Sequence, residues 1–214
     1  SGYRTRVERT VSALLPGGRW RARWDLETDW VRLEIRPELD SLIYHRPPVI
    51  AAGFDPKKAY EKVEFRFGVD EDDSVAAWRP AVDPMMMITG STGTGKTSAT
   101  HTLLLEIVAY GWPVWILDGK AVEFLGFQDC PNVQIVAATI ERQVALIHRA
   151  HQVMEQRYAA IAAGQAHETD FDPLVVFIDE ASSFFGNLQD WYSQIKRKGD
   201  PAKPPVQALI ADIA

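Results

Sequence analysis

The chain has 214 residues, 46% of them hydrophobic, and a formal net charge of −6 at pH 7. That is enough for one core with a smaller attached lobe, and the acidic balance excludes a protein that coats nucleic acid by bulk electrostatics. The single cysteine, Cys130, rules out an intramolecular disulfide and suits a reducing, cytoplasmic setting. No apolar run approaches membrane-spanning length and the start does not resemble a signal peptide, so any membrane anchor is expected outside this chain.

The organisation divides near Asp83-Pro84, giving a β-rich lobe over 1–83 and a core over 84–214. From Arg19 to Leu26, tryptophans, alanine and leucine alternate with charges, and Val31, Leu33 and Ile35 repeat the pattern. Glu27-Thr28-Asp29 turns one strand into the next, which predicts a hairpin. Arg19, Arg21, Arg23, Arg32 and Arg36 share its charged face with Asp25, Glu27 and Glu34, so this reads as a solvated face, and the tryptophans read as core. Lys62 to Val69 alternates likewise, with Val63, Phe65, Phe67 and Val69 on one side.

Beyond Asp83 strands and helices alternate. Met85 to Ile88 reads as a short buried strand, and Ser98 to Tyr110 as a helix stopped by Gly111 and Pro113. Val114 to Leu117 reads as a strand ending at Asp118-Gly119-Lys120, and Val133 to Val136 as another. Thr139 to Ala163 is an amphipathic helix with Ile140, Val144, Ile147, Met154, Tyr158 and Ile161 on its apolar side. Leu174 to Ile178 is a continuous apolar run, the pattern of a parallel strand buried on both faces. Lys196 to Pro205 reads as an exposed loop, and Pro205 to Ala214 as the start of a helix. The order predicts an α/β fold with a mostly parallel sheet, whose ligands sit at the carboxyl ends of the strands.

The chemistry is concentrated there. Gly90-Ser91-Thr92-Gly93-Thr94-Gly95-Lys96-Thr97 fits the phosphate-loop pattern of glycine, four free positions, glycine, lysine and serine or threonine, between a strand and a helix. Together with Ser98, these residues are the candidate nucleotide-binding set. Glycines let successive N–H groups curl around an anion, and the helix adds the positive end of its dipole. Lys96 would reach the β- and γ-phosphates of ATP, and Thr97 would offer its hydroxyl to Mg²⁺. Asp179-Glu180, ending an apolar strand, has the look of a Walker B element, with Asp179 in the metal shell and Glu180 polarising the attacking water. Lys96 and Glu180 are therefore the candidate catalytic residues.

Phosphate loops serve many machines, so the loop alone does not name the work. The segment Phe67-Gly68-Val69-Asp70-Glu71-Asp72-Asp73, GSTGTGKT, WILDGKAVEF, the long helix with Met154-Glu155-Gln156-Arg157-Tyr158, and VVFIDEAS, taken in order over Glu64 to Ser182, resemble the FtsK/SpoIIIE family of motor ATPases. The resemblance implies a RecA-like P-loop core and an ATP- and Mg²⁺-dependent motor that translocates double-stranded DNA as a homo-oligomeric ring, a hexamer. The front lobe resembles members from actinobacterial conjugative plasmids and integrative elements, which implies a role in DNA transfer. The alternative is a type VII secretion relative acting on proteins. Many members carry proline where Gly119 stands, leaving Lys120 open between a site residue and a surface lysine in a turn. Arg142, Arg149 and Arg157 are candidates for an arginine offered to a neighbouring subunit. The 34 residues after Glu180 are too few for the later strands of such a core, so the core is expected to be C-terminally incomplete.

Overall fold

A computed structural model describes residues 2–14, 19–25, 27–28, 30–36, 48–50, 53–70 and 74–213. Leu26, Asp29 and Glu71-Asp72-Asp73 lie outside the described residues, as do the side chains of Arg19 and Arg36. The chain forms two compact units, one from 1–45 and 66–77, the other from 46–65 and 78–214.

In the first unit Arg19–Asp25 (β1) and Trp30–Arg36 (β2) form the expected antiparallel hairpin, in register from Arg19↔Arg36 to Asp25↔Trp30. Asp25 Oδ1 accepts from the backbone N–H of Glu27 at 3.0 Å and of Thr28 at 3.2 Å, which closes the turn. Trp20, Ala22 and Trp24 are half-buried while Arg21 and Arg23 are exposed, as alternation demands. Arg23 Nε lies 3.3 Å from Glu34 Oε2, so acids do sit among the arginines. A helix over Gly2–Leu14 (α1), which the sequence reading did not anticipate, brings Tyr3 edge-on to Trp24 at 6.3 Å and sets the Arg4 guanidinium 5.6 Å over the same indole.

The second unit is built around Val114–Leu117 (β5), four apolar residues that are all buried. Val133–Ala137 (β6) and Val175–Ile178 (β7) flank it in parallel, giving the order β6-β5-β7. The two sides of β5 face two cores. Val114 and Ile116 join Leu103, Leu104 and Ile107 of the helix Lys96–Ala109 (α3). Trp115 and Leu117 join Leu146, Ile147 and Ala150 of Ile140–Ala162 (α4), and Phe184 and Leu188 of Ala181–Ile195 (α5); Val206 of Val206–Ile213 (α6) adds to this side. Helices on both faces of a parallel sheet are the α/β arrangement that the alternating order predicts.

Residues 46–65 pack into this unit, so its limit differs from the partition at 83/84. Trp112, 1% exposed, donates its indole N–H to Pro56 O at 3.1 Å, at the start of the short helix Pro56–Ala59 (α2). Its ring lies 5.8 Å from that of Tyr60 and 5.3 Å from that of Phe65.

Several details depart from the sequence reading. Met85 to Ile88 joins no ladder among the described residues; Met86 and Ile88 pack on the core while Met85 and Met87 are exposed. An apolar run specifies burial but not a hydrogen-bonding partner, and this one buries only alternate side chains. β7 packs on both faces, Val175 and Phe177 on one core and Val176 and Ile178 on the other, but each residue is half-buried rather than fully buried, and β5 alone pairs with the strand among the described residues. In Phe65–Val69 (β3), paired with Val75–Trp78 (β4), Phe65 is buried but Phe67 and Val69 are exposed. On α4 the buried stripe is Gln143, Leu146, Ile147 and Ala150, and Tyr158 is exposed. No helix among the described residues is long and apolar enough to cross a membrane.

Trp112 ties α2, Phe65 and α3 into one core, so Trp112→Ala should lower unfolding free energy by about 3–5 kcal/mol in urea titration monitored by far-UV circular dichroism.

Candidate nucleotide-binding site

The carboxyl ends of β5 and β7 are neighbours because the strands run in parallel register, Leu117 beside Ile178. Asp118-Gly119-Lys120 and Asp179-Glu180 therefore emerge side by side. Their approach is so close that a Cβ on Gly119 would stand 2.9 Å from the Asp179 carbonyl oxygen and 3.4 Å from Glu180 Cβ. In this chain the position holds glycine because any side chain would push the two strand ends apart.

Asp118 is fully buried and is spent on its own loop. Its Oδ1 accepts from Lys120 N at 3.1 Å and its Oδ2 from Phe124 N at 3.3 Å. Its carbonyl, with that of Ala137, accepts from the buried amide of Gln143 on α4 at 3.0 and 3.3 Å. Gln143 thus fixes the ends of β5 and β6, a role invisible in a helical pattern that registers only apolar periodicity.

The phosphate loop curls before α3. Gly93 and Gly95 have φ of 81° and 89°, conformations that strain any residue with a Cβ, and Gly95 caps the helix. Thr94 folds back on Ser91 O through its N–H at 3.3 Å and its hydroxyl at 2.8 Å. Lys96 Nζ donates to Gly90 O at 2.6 Å and Ser91 O at 3.2 Å, so carbonyls hold the ammonium across the mouth of the loop. Residues 90–95 and Ser98 are exposed, while Lys96 and Thr97 are half-buried.

Thr97 carries the link to the acids. Its hydroxyl donates to Glu123 Oε2 at 3.4 Å. Glu123 Oε1 accepts from Lys120 Nζ at 2.7 Å, and Lys120 Nζ lies 3.2 Å from Glu180 Oε1. The hydrogen bond from Lys120, followed by the opposing effect of partial burial, sets Glu123 below the usual carboxylate range. Hydrogen bonds to Glu123 and then Glu180 raise Lys120 well above an ordinary lysine. Glu123 went unnoticed in the sequence; its one signal was a position three residues after Lys120, the spacing of a local ion pair.

Asp179 is different. Its Oδ2 is buried with no hydrogen-bond partner, and burial first, then the charges of Glu123, Glu180 and Asp118, push its carboxyl up, with Lys120 working the other way. A buried, unpartnered carboxylate oxygen beside a threonine-headed phosphate loop suits a divalent cation. Among the described residues no three His, Cys, Asp or Glu groups converge as a metal cage. Glu180 is held at φ 46°, and the other non-glycine residue with positive φ among those described is Ala121, in the loop that carries Lys120. Such backbone conformations cost about 1–3 kcal/mol each and concentrate at functional sites.

Two of the three candidate arginines on α4 are engaged within the unit. Arg149 lies 5.2 Å over the Trp115 ring, and Arg157 donates to Asp172 O at 2.9 Å while covering Phe171. Arg142 is exposed.

A family model described as the FtsK/SpoIIIE family matches residues 52–186, which include both the phosphate loop and the acidic pair. The chain belongs to the FtsK/SpoIIIE family. The match extends beyond both ends of the Glu64 to Ser182 resemblance, and its start falls where the second compact unit gathers in residues 46–65. A curated relative, the DNA translocase FtsK of Streptomyces coelicolor, is 27% identical over 115 residues, spanning 51% of this chain and 12% of that protein. Comparison with solved structures found no match. Family membership and the β6-β5-β7 sheet together fit a RecA-like core.

Because the folded state raises the Asp179 carboxyl above its ordinary value of 3.8, its stabilising contribution is complete below that value and is lost as pH rises through the folded value. At neutral pH the ionised group destabilises. Asp179→Asn should therefore raise the melting temperature at neutral pH, with the gain shrinking as pH falls through the carboxylate range. Gly119→Ala should cost about 1–3 kcal/mol in denaturant titration by overpacking the strand ends.

Proposed function

We propose that this chain is the ATP-hydrolysing module of a motor that moves double-stranded DNA, acting in transfer of a mobile element. The observation that supports it most is the continuous chain of contacts Thr97–Glu123–Lys120–Glu180, which joins the phosphate loop to the acidic strand end. A binding-only module has no need of a carboxylate held in a strained backbone beside the loop. The chain covers 12% of the translocase it matches, so the DNA substrate and a hexameric ring are inferences from family.

In this reading Gly90 to Ser98 cradle the triphosphate with backbone N–H groups and the α3 N-terminus. Lys96 exchanges the carbonyls of Gly90 and Ser91 for phosphate oxygens. Thr97 and Asp179 would hold Mg²⁺, which when bound would neutralise charge on the phosphate oxygens. Glu180 orients the water that attacks the γ-phosphate in line. An acidic subunit is compatible with DNA as substrate, since a ring sums weak phosphate contacts over several copies.

Glu180→Gln should lower turnover about 10²- to 10⁴-fold while nucleotide still binds, and Lys96→Ala should lose both. The deciding measurement is ATPase rate with and without linear duplex DNA at low and moderate salt. Stimulation that weakens as salt rises is expected for DNA. Stimulation by polypeptide instead of DNA would overturn the DNA reading in favour of a protein-handling, type VII secretion relative.

A further inference from the structure

Lys120 is the residue of the DGK segment that the proposed mechanism leaves without a task, and its surroundings are those of a working part. Its ammonium sits between two carboxylates, 2.7 Å from Glu123 and 3.2 Å from Glu180. Both of those side chains are mostly shielded, at 22% and 28% exposed, whereas the lysine is 44% exposed. The segment that presents it is fixed. Asp118 binds Lys120 N and Phe124 N, Gly119 lies against Asp179, and Ala121 is held at φ 63°. A lysine in an idle surface turn would have no reason for a strained residue beside it and a buried aspartate beneath it.

We infer that Lys120 is a positioning residue for Glu180, and that Glu123 couples it to Thr97. The inference rests on the proposed role of Glu180 as the water-orienting base. Glu180 projects from a left-handed backbone at the head of α5, and its own helix supplies no side-chain cap bond to hold it. Lys120 supplies that restraint from the neighbouring strand end. Glu123 anchors Lys120 and accepts the Thr97 hydroxyl hydrogen with its other oxygen. That bond points the threonine lone pairs away from Glu123, leaving them free for a cation. One set of contacts therefore orients the hydroxyl at the metal position and the carboxylate at the water position. Lys120 also sets one cation against Glu123 and Glu180, and its charge opposes the effect of those carboxylates on Asp179.

The test uses Lys120→Met, Lys120→Arg, Glu123→Gln, the double variant Lys120→Met/Glu123→Gln, and Glu180→Gln. Readouts are kcat, KM for ATP, and Mn²⁺ affinity in the presence of ADP. Lys120→Met is expected to lower kcat about 10- to 100-fold, the scale of a misplaced catalytic group, with KM for ATP changed less than about threefold. Removing the cation should also tighten Mn²⁺ binding about three- to tenfold, a readout independent of turnover. Lys120→Arg should restore much of both. Glu123→Gln should lower kcat as well, and the double variant should be no slower than Lys120→Met, because both act through one carboxylate. Wild-type kcat and Mn²⁺ affinity in Lys120→Met would overturn the inference, as would a loss of ATP binding and melting temperature in step with kcat. If Glu180→Gln turns over normally, the underlying mechanism fails; if Glu180→Gln is inactive and Lys120→Met is fully active, the positioning role alone fails.

Discussion

The site depends on the contact between the ends of two parallel strands. β5 and β7 run in register, so Gly119 meets the carbonyl of Asp179 with no room for a Cβ. That approach carries Lys120 to Glu180 and brings the charges of Asp118, Glu123 and Glu180 to bear on Asp179. Their negative charges raise the Asp179 carboxyl, and Lys120 is the counter-charge that works against them. Asp118 satisfies itself on backbone N–H groups, while Asp179 keeps an oxygen without a partner. The two aspartates at the strand ends thus differ in kind, one closed on its own loop and the other with a buried oxygen open to a further partner.

The packing explains why this volume is stable enough to hold strain. β5 is buried along its length, with α3 on one face and α4 and α5 on the other, and Gln143 secures the strand ends. Left-handed backbone at Glu180 and Ala121 raises the free energy of the folded state locally. The apolar burial of β5 and its two layers offsets it.

Much of the second unit was legible because its signals are local. α3, β5, β6, α4 and α6 fall within a residue or two of the runs that periodicity and glycine punctuation mark out, and the phosphate loop is a contiguous word. What escaped depends on distant partners. Met85 to Ile88 has the composition of a strand, yet pairing requires a neighbour that composition does not supply. Gln143 and Glu123 look like ordinary polar positions until the ends of β5 and β7 are brought beside them. The open reading of Lys120 had the same origin, since its partner Glu180 lies on another strand. α1 was missed for a different reason: its arginines obscure the Tyr3, Val7, Val11 and Leu14 stripe that would have marked a helical face.

The half-buried state of β7 has a bearing on how the molecule behaves in solution. Paired with β5 on one side alone among the described residues, it leaves a second row of backbone N–H and C=O groups next to Val175, Val176, Phe177 and Ile178. Such a margin is a template for another strand, from a neighbour or a misfolded copy. Its brevity, four residues, is what keeps that template weak. The short strand that delivers the acidic pair is thus also the sheet margin from which strand addition would start.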